Sequence, residues 1–550
     1  MSDKQGIFSS GGAHSPRWLH PLLALGAYSV IVAWLHRDLI LDISSQVLAG
    51  ARVGGVFLWE LWWHKSGFSA YSPFLHGYTT ILMHPQGTPV LPHSPMVLAL
   101  GWVLQTSMNP YAAHNVLHLA AYVGSGIAMY ALAFHETRDA LSSFLAGYLF
   151  MFSHYGITQH LLGHLGESAD LFLPIALLGL ARLHADPGPR SALIFAAGSI
   201  GTCLSTPYLA FAWLAVGCPL FLAIRRREAL ARLQDRSFRI GLFGGLLAAC
   251  AAGLVCYRPL FTLGNGLLGG SEPYSLSLLS FLDFPFWHPS SFIQGLRSWT
   301  SAGMMDQGLL SHPGFSGNPA MALKASSENL MGFFGFSSLA LLALGLRRRA
   351  FAGQGAWGGL LVGGVVLSLG PFLQFRYEAT ALPLPYLALH VLPYLGLLRA
   401  PSRLIVLAFA ALAMLAGVAF SDLTRRARNP YGKMALLVLL LCTYSWEMGL
   451  SVVGRSLTPL QWGAAYRLLS EDPSPGAVLE LPAAIYNHGD ITVNVQEYML
   501  YQPRHHRPLV LGRPPRHTAS SLFFCESTEF VYELTHPHVI SILYARPELV

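Results

Sequence analysis

Apolar runs of about 17 to 23 residues recur from one end of the sequence to the other, the length at which a helix crosses a hydrocarbon core of about 30 Å. That pattern limits the fold more than any other feature. A chain inside lipid must satisfy its own backbone hydrogen bonds, so a bundle of helices is the expected solution. Composition agrees. Hydrophobic residues make up 53% and charged residues only 11% of the 550 residues, against about 25% charged in a soluble domain. The balance of 34 Lys and Arg against 27 Asp and Glu gives +7. The excess sits in short clusters beside apolar runs, which is the signature of membrane topology and argues against a nucleic-acid partner. Six cysteines are present with no C-x-x-C spacing, so neither a disulfide framework nor a cysteine metal site is expected.

The basic clusters set the expected orientation. They are Arg182 with Arg190, Arg225 to Arg239, Arg347 to Arg349, and Arg425 to Lys433. The positive-inside rule puts all four in the cytoplasm. Eleven spans then follow: Trp18–His36, Ala112–Phe134, Ala140–Tyr155, Ser168–Leu183, Ser191–Leu204, Pro207–Ile224, Ile240–Tyr257, Leu330–Leu346, Trp357–Leu369, Leu404–Phe420 and Met434–Val453. The stretches Pro89–Leu104 and Pro383–Leu398 would reverse a basic cluster if they crossed, so they are read as interfacial or re-entrant helices. The organisation expected is a cytoplasmic N-terminus (1–17), a transmembrane bundle (18–453) with outer loops 37–111 and 258–329, and a small extracytoplasmic C-terminal segment (454–550). The polar N-terminus lacks an A-x-A site, so the first span is read as uncleaved.

Three polar motifs fall on the outer side. The first loop carries Trp59, Glu60, Trp62, Trp63, His64 and Lys65 in one amphipathic run. Its tryptophans fit a headgroup-level anchor, whereas charge held within an aromatic shell at a membrane surface points to function. His64, His76, His84, His93 and His114 follow, but no pair has helical spacing with a carboxylate as a zincin needs. A divalent metal stays open, and no cofactor is required by these residues. In "GHLGESADLFLP", His160 and His164 are four apart and would share a helical face, while Glu167 and Asp170 fit helix capping or a site. Arg399 and Arg403 flank a proline turn at the mouth of a span, where arginine suits phosphate or snorkels to headgroups. In the tail, Val478–Leu481 reads as a short buried strand, and Arg504, His505, His506, Arg507, Arg513 and Arg516 read as a basic patch.

These motifs, in order, resemble a large family of bacterial membrane proteins related to the GT-C glycosyltransferases. The resemblance is carried by "HPQGTPVLPHSP", "NPYAAHNVLHLAAYVGSGIAMYALA", "GHLGESADLFLP", "CLSTPYLAF", "LPLPYLALHVLPYLGLLRAPSR", "VLELP" and "YMLYQPRHHRPLVLGRPPR", from about Trp59 to Arg516. It implies an all-α polytopic GT-C-like bundle with catalysis at the outer face, a polyprenyl-phosphate sugar as donor, and an acidic residue in the first outer loop. On that basis Glu60 and then Asp42 are the expected acidic groups, and Lys65, His64, His164, Arg399 and Arg403 the expected donor-phosphate ligands. Two departures matter. Relatives tend to carry an Asp just before the Trp-rich segment, where this chain has Gly54, Gly55 and Val56, and their Asn after Gly-His-Leu is Gly166 here.

The expectation is a bacterial inner-membrane glycosyltransferase moving a sugar from a polyprenyl-phosphate donor to an extracytoplasmic acceptor, with membrane lipid and membrane proteins as its partners. The alternative is a non-catalytic accessory subunit that keeps the fold. A transporter ranks lower, because it needs polar groups deep in several spans, and the spans read as nearly free of them.

Overall fold

A computed structural model describes residues 19–48, 51–66, 77–79, 81–82, 88–90, 93–257, 274–285, 287–300, 330–375, 378–390, 398, 400–425, 429–455, 457–460, 464–474, 476–478 and 499–510. The first part of the chain forms α1 (Leu19–Leu35), α2 (Arg37–Leu41), β1 (Gln46–Leu48), α3 (Ala51–Ser66), β2 (Gly77–Thr79), β3 (Thr88–Val90) and α4 (Pro95–Leu104). The bundle continues with α5 (Pro110–Thr137), α6 (Ala140–Met151), α7 (His154–Leu162), α8 (Leu165–Ser168), α9 (Phe172–Ala185), α10 (Pro189–Ser205) and α11 (Pro207–Phe211). A π-helical turn, Ala212–Gly217, joins α11 to α12 (Cys218–Ile224), followed by α13 (Arg226–Arg232), α14 (Arg236–Tyr257) and α15 (Ser291–Thr300). Then come α16 (Phe336–Arg347), α17 (Gly355–Ser368), β4 (Phe372–Phe375), β5 (Glu378–Pro383), α18 (Tyr386–His390), α19 (Ile405–Arg425) and α20 (Pro430–Glu447). The tail contributes β6 (Leu457–Pro459), α21 (Ala464–Glu471) and α22 (Gln502–His505).

Local chemistry starts these helices where the sequence changes character. Proline occupies the first turn of α4, α5, α10, α11 and α20, where its missing N–H costs nothing. The side chains of Asn109, Asp139, Thr206 and Asn429 accept hydrogen bonds from the first turns of α5, α6, α11 and α20.

Each of the eleven expected stretches overlaps at least one helix, some only in part, as where the helix in Leu330–Leu346 starts at Phe336. Among the described residues, five segments are long and apolar enough to cross a membrane by themselves: Pro110–Thr137, Leu165–Ala185, Pro207–Ile224, Arg236–Tyr257 and Pro401–Arg425. Others, such as α1, α6, α16 and α17, are apolar but shorter. The last of the five, through α19, is the centre of the bundle: every residue from Ile405 to Gly417 is buried, and α19 packs on α5, α6, α16 and α17. Leu22, Val30, Trp34, Leu193, Leu247, Val362 and Leu439 point outward and are more than half exposed. Large apolar side chains spread this way over helix after helix form a surface suited to lipid.

The bundle has two unlike ends. Arg232 donates to the Ala185 carbonyl at 3.1 Å, Phe221 stacks edge-on against Trp357 at 5.6 Å, and Arg348 pairs with Asp422 at 2.9 Å. These contacts gather the described parts of the four basic clusters at one end. The opposite ends of α5, α9, α10, α14 and α19 meet the loop segments. There β1 pairs antiparallel with β6 from the tail, with Val47 opposite Thr458, and β2 pairs with β3 in a hairpin. Asn115 joins loop to bundle: it accepts from the Leu48 N–H at 3.0 Å and donates to the Ile43 and Gln46 carbonyls at 2.8 and 2.7 Å.

The two stretches expected to be interfacial are shorter helices than anticipated. Within Pro89–Leu104 the helix begins at Pro95, after β3, and exposes Leu100, Trp102 and Val103. Within Pro383–Leu398 the described helix is only Tyr386–His390, and residues 391–397 lie outside the described residues.

Candidate functional site

The amphipathic run of the first loop is α3, and it is enclosed rather than laid on a surface. Trp59, Trp62 and Trp63 are at most 7% exposed and pack with Val56, Leu82, Val90, Met499 and Leu509. The Trp59 and Trp63 rings stack at 5.5 Å. The Trp59 indole donates to Gln502 Oε1 at 2.5 Å, and the Trp63 indole donates to Thr79 Oγ1 at 3.1 Å. These tryptophans are therefore the core of a loop–tail subdomain, and the headgroup anchor is the wrong reading: docking of residues 499–510 buries the face that periodicity alone left open. Gln502 completes the joint by donating to the Ile81 and Arg507 carbonyls, both at 2.9 Å.

The next residue on α3 has the opposite environment. Glu60 is fully buried, and among the described residues no side chain donates a hydrogen bond to either carboxyl oxygen. Burial is the first cause that pushes its carboxyl well above the ordinary value. The backbone N–H of His93 opposes that shift and the charge of Glu167 adds to it.

Glu167 is also fully buried, on the one-turn helix α8. Its Oε1 accepts a hydrogen bond from Arg403 Nη1 and lies 3.7 Å from His93 Nε2. The Arg403 guanidinium in turn sits over the Tyr208 ring at 4.4 Å. Capping is thus not the role of Glu167; it is half of a buried ion pair that ties α8 to the start of α19. Gly166, where the family resemblance leads one to expect Asn, has a steric cause here. A Cβ at 166 would lie 1.8 Å from Ser94 Oγ and 2.9 Å from the Ser205 carbonyl oxygen. The close approach of α8 to α10 and α4 excludes any side chain.

His160 and His164 do not share a helical face. Gly163, at φ +74°, ends α7 and accepts the left-handed turn. The His164 N–H then reaches back to the Gln159 carbonyl at 2.9 Å, closing a Schellman turn. His164 Nδ1 lies 2.6 Å from Gln159 Oε1, and its ring stands edge-on to Phe57 at 6.1 Å. Phe57 also meets the His93 ring at 4.9 Å. His93 and His164 therefore flank the same α3 side chain, one turn from Glu60.

The other expected residues lie apart from this group. Asp42 is exposed and accepts from Ser45 Oγ and, at 3.5 Å, from Gln46 Nε2. Lys65 places its ammonium 4.5 Å over the Trp102 ring. His64 hydrogen-bonds the Glu60 carbonyl at 2.8 Å, and burial pushes its imidazole down to about 4, so it is neutral near pH 7. Arg399, His76 and His84 lie outside the described residues. The expected basic patch is not one surface. Arg507 donates to the Leu469 and Ser474 carbonyls at 3.1 and 2.7 Å and pairs with Asp472 at 3.0 Å. His505 is buried, which lowers its imidazole to about 4, and Arg513 and Arg516 lie outside the described residues. Val478 forms only an isolated bridge to Leu509, and 479–481 lie outside the described residues.

Two site residues were not singled out for chemistry from the sequence: His93, counted only among loop histidines, and Tyr208, inside a quoted motif. The available signal was a histidine and an acid in segments that the fold turns toward each other, and pairing across 74 residues is not a local pattern. The spans also hold more polar groups than expected, since His114, Asn115 and His118 are fully buried on α5. Among the described residues, no group of three His, Cys, Asp or Glu side chains is placed to hold a metal ion.

The sequence matches no family model and no curated protein. Solved structures that resemble it are glycosyltransferases. The Archaeoglobus fulgidus oligosaccharyltransferase, tethered with an acceptor peptide, aligns at TM-score 0.49 and 14% identity over 90% of this chain and 64% of its own. The chain thus spans just under two thirds of that protein. Arabinofuranosyltransferase AftD from Mycobacteria aligns at TM-score 0.42 and 14% identity over 86% of this chain and 30% of its own. ArnT from Cupriavidus metallidurans aligns at TM-score 0.42 and 12% identity over 95% of this chain and 90% of its own.

Proposed function

We propose that this chain is a GT-C-like membrane glycosyltransferase that moves a sugar from a polyprenyl-phosphate donor to an extracytoplasmic acceptor. In this reading eleven helices span a bacterial inner membrane, with the N-terminus and basic clusters in the cytoplasm and α3 and the tail outside. A lipid-linked donor stays in the membrane, so its reacting carbon must be met where the bundle gives way to the loops. Glu60, Glu167, Arg403 and His93 lie at that end.

The observation that carries the proposal is Glu60: a buried carboxyl with no side-chain hydrogen-bond donor to either oxygen among the described residues, beside a buried arginine–carboxylate pair. A polar group buried without a partner destabilises the fold by about 1–3 kcal/mol, so its retention is explained best by a partner that arrives with the substrate. A carboxyl raised above its ordinary value is a stronger general base once the acceptor hydrogen-bonds to it. Arg403, His164 and Arg399 are the groups proposed for the donor phosphate, with Arg403 held in orientation by Glu167 and its charge set against the leaving phosphate. Lys65 and His64 support α3 instead. A divalent ion stays a proposal only for the donor's own phosphate.

The test is release of polyprenyl phosphate from a panel of polyprenyl-phosphate hexoses and pentoses by the full-length protein in nanodiscs. Glu60→Gln keeps the volume and the neutral form that the fold holds. It should fold normally and lose about 10²–10⁴-fold in rate. Retained activity removes Glu60 from the mechanism. A wild-type protein that releases nothing and co-purifies stoichiometrically in a larger membrane complex is instead an accessory subunit.

A further inference from the structure

Trp59, Trp62 and Trp63 are covered by protein, whereas a different set of aromatic side chains stands exposed where the second long loop meets α16 and α20. On α20, Tyr431, Met434, Val438, Leu439, Cys442 and Trp446 are exposed. Spacings of three, four and seven residues put them in one stripe along one face of the helix. The stripe has an aromatic at each rim, Tyr431 at 82% and Trp446 at 56% exposed, about 23 Å apart at 1.5 Å per residue. Aliphatic side chains and a thiol fill the length between. A lipid-facing helix is arranged this way, with amphipathic rings at the two headgroup levels and apolar groups in between. Trp446 marks the rim away from the basic clusters, and Phe336, exposed at the start of α16, lies at the same end.

The loop is fastened to this rim. The last carbonyls of a helix have no partner within it, and here loop side chains supply two. The Trp287 indole donates to the Met448 carbonyl at 2.7 Å, and His288 Nε2 donates to the Trp446 carbonyl at 2.8 Å. The Ser290 N–H donates to His288 Nδ1 at 3.2 Å, which leaves Nε2 to carry the imidazole proton. Phe284 packs among Phe333, Phe336 and Trp446 at 4.9, 5.5 and 6.0 Å. The two spans are joined at the same place, where the Ser337 N–H and hydroxyl donate to Glu447 at 3.0 and 2.7 Å. Gln294, in the first turn of α15, donates to the His288 carbonyl at 3.2 Å. α15 therefore starts from a fixed point against the end of α20.

From that point Ile293 turns inward and is buried, while Phe292 and Leu296, one turn apart, are 71% and 48% exposed. Ser291 and Gln294 fall on the other sides of the helix. A helix with an apolar pair on one outer side and polar residues on the others is built to lie in the plane of a membrane interface. We propose that α15 is a membrane-interface helix: Phe292 and Leu296 enter the boundary between headgroups and acyl chains, at the rim that Trp446 and Phe336 mark. Lipid, rather than a protein partner, is what covers them, because the stripe on α20 runs up to this rim and lipid lying along the stripe reaches α15 without a break. The second long loop then supplies the headgroup anchor that the first does not. The proposal rests on the bundle lying in a membrane and is independent of the transfer reaction.

The experiment uses the full chain in nanodiscs of phosphatidylethanolamine and phosphatidylglycerol. The photoreactive residue p-benzoylphenylalanine replaces Phe292, Leu296, Ser291 and Val438 one at a time, and the adducts are identified by mass spectrometry. Lipid adducts are expected at 292 and 296 with a yield comparable to that at 438, and their loss at 291. Adducts at 292 and 296 to another part of this chain, or to a second copy of it, in place of lipid overturn the proposal and leave the stripe on α20 facing lipid. Equal lipid yields at 291, 292 and 296 also overturn it, since α15 would then have no fixed face toward the bilayer. No lipid adduct even at 438 overturns the lipid-facing stripe and the proposal together. The unsubstituted protein gives a second measurement that no substitution can disturb. A diazirine carried on a lipid acyl chain should label Phe292 and Leu296 as it labels Val438, and labelling of Val438 alone overturns the proposal.

Discussion

Trp59 and Glu60 are neighbours on one helix and sit in opposite kinds of environment. The Trp59 indole is hydrogen-bonded to Gln502, and that amide is itself bonded to two carbonyls. The Glu60 carboxyl is just as buried and has no such partner among the described residues. A satisfied polar network fixes structure, because every member would lose a bond on moving. An unsatisfied one is tolerated where a ligand completes it. The side of α3 that meets the tail is therefore structural, and the side that carries Glu60 is the one proposed for chemistry.

The largest effect that tests this contrast is at the ion pair supporting the chemical side. Arg403→Met leaves Glu167 buried and uncompensated and should destabilise the fold by about 3–5 kcal/mol. Combining it with Glu167→Gln should recover most of that loss, as read by denaturation in detergent. A double variant as unstable as the single would mean that Arg403 acts through packing on Tyr208 alone. Gly166→Asn, which installs the residue of the relatives, should cost at least about 1–3 kcal/mol from overpacking against Ser94 and Ser205. A variant of unchanged stability would show that α8 has freedom to shift.

On the structural side, Gln502→Ala leaves the Trp59 indole and the Ile81 carbonyl without their partner. It should cost about 1–3 kcal/mol, seen as faster proteolysis of the tail while the bundle stays intact. The smallest effect is in pH dependence. The fold holds the Glu60 carboxyl above its ordinary value, while an unfolded chain releases that proton above 4.5. Stability held by the neutral carboxyl is thus full below about pH 4.5 and is lost as pH rises toward the higher folded value. Glu60→Gln removes that dependence, so its midpoint should match wild type at low pH and exceed it as pH rises. Parallel curves for the two proteins would place a charged partner beside Glu60 and dissolve the contrast with Trp59.

Much of the bundle was legible in the sequence, and for a local reason. Proline at helix starts, side-chain caps such as Asn109 and Thr206, and arginine clusters at run ends are all encoded within a few residues. The site was legible only in part. Glu60 and Arg403 stood out as charges in apolar surroundings. Glu167 read first as a helix cap, until Arg403, 236 residues away, was seen against it. The tryptophans misled because an aromatic stripe has the same periodicity whether lipid or protein covers it, and the cover here comes from residues 499–510. His118 went unremarked, and His160 was read only with His164, because single histidines inside apolar helices lower the local hydropathy only slightly.

By itself, then, the sequence determined a helical membrane bundle with basic residues gathered at one end, because span length, caps and charge clusters depend on near neighbours in the chain. Only the tertiary structure decided which acid meets which arginine, why residue 166 has no side chain, and which side of α3 the tail covers. Those outcomes depend on distant segments closing on one another, and no local pattern records the distance across a contact that the chain makes only once it has folded.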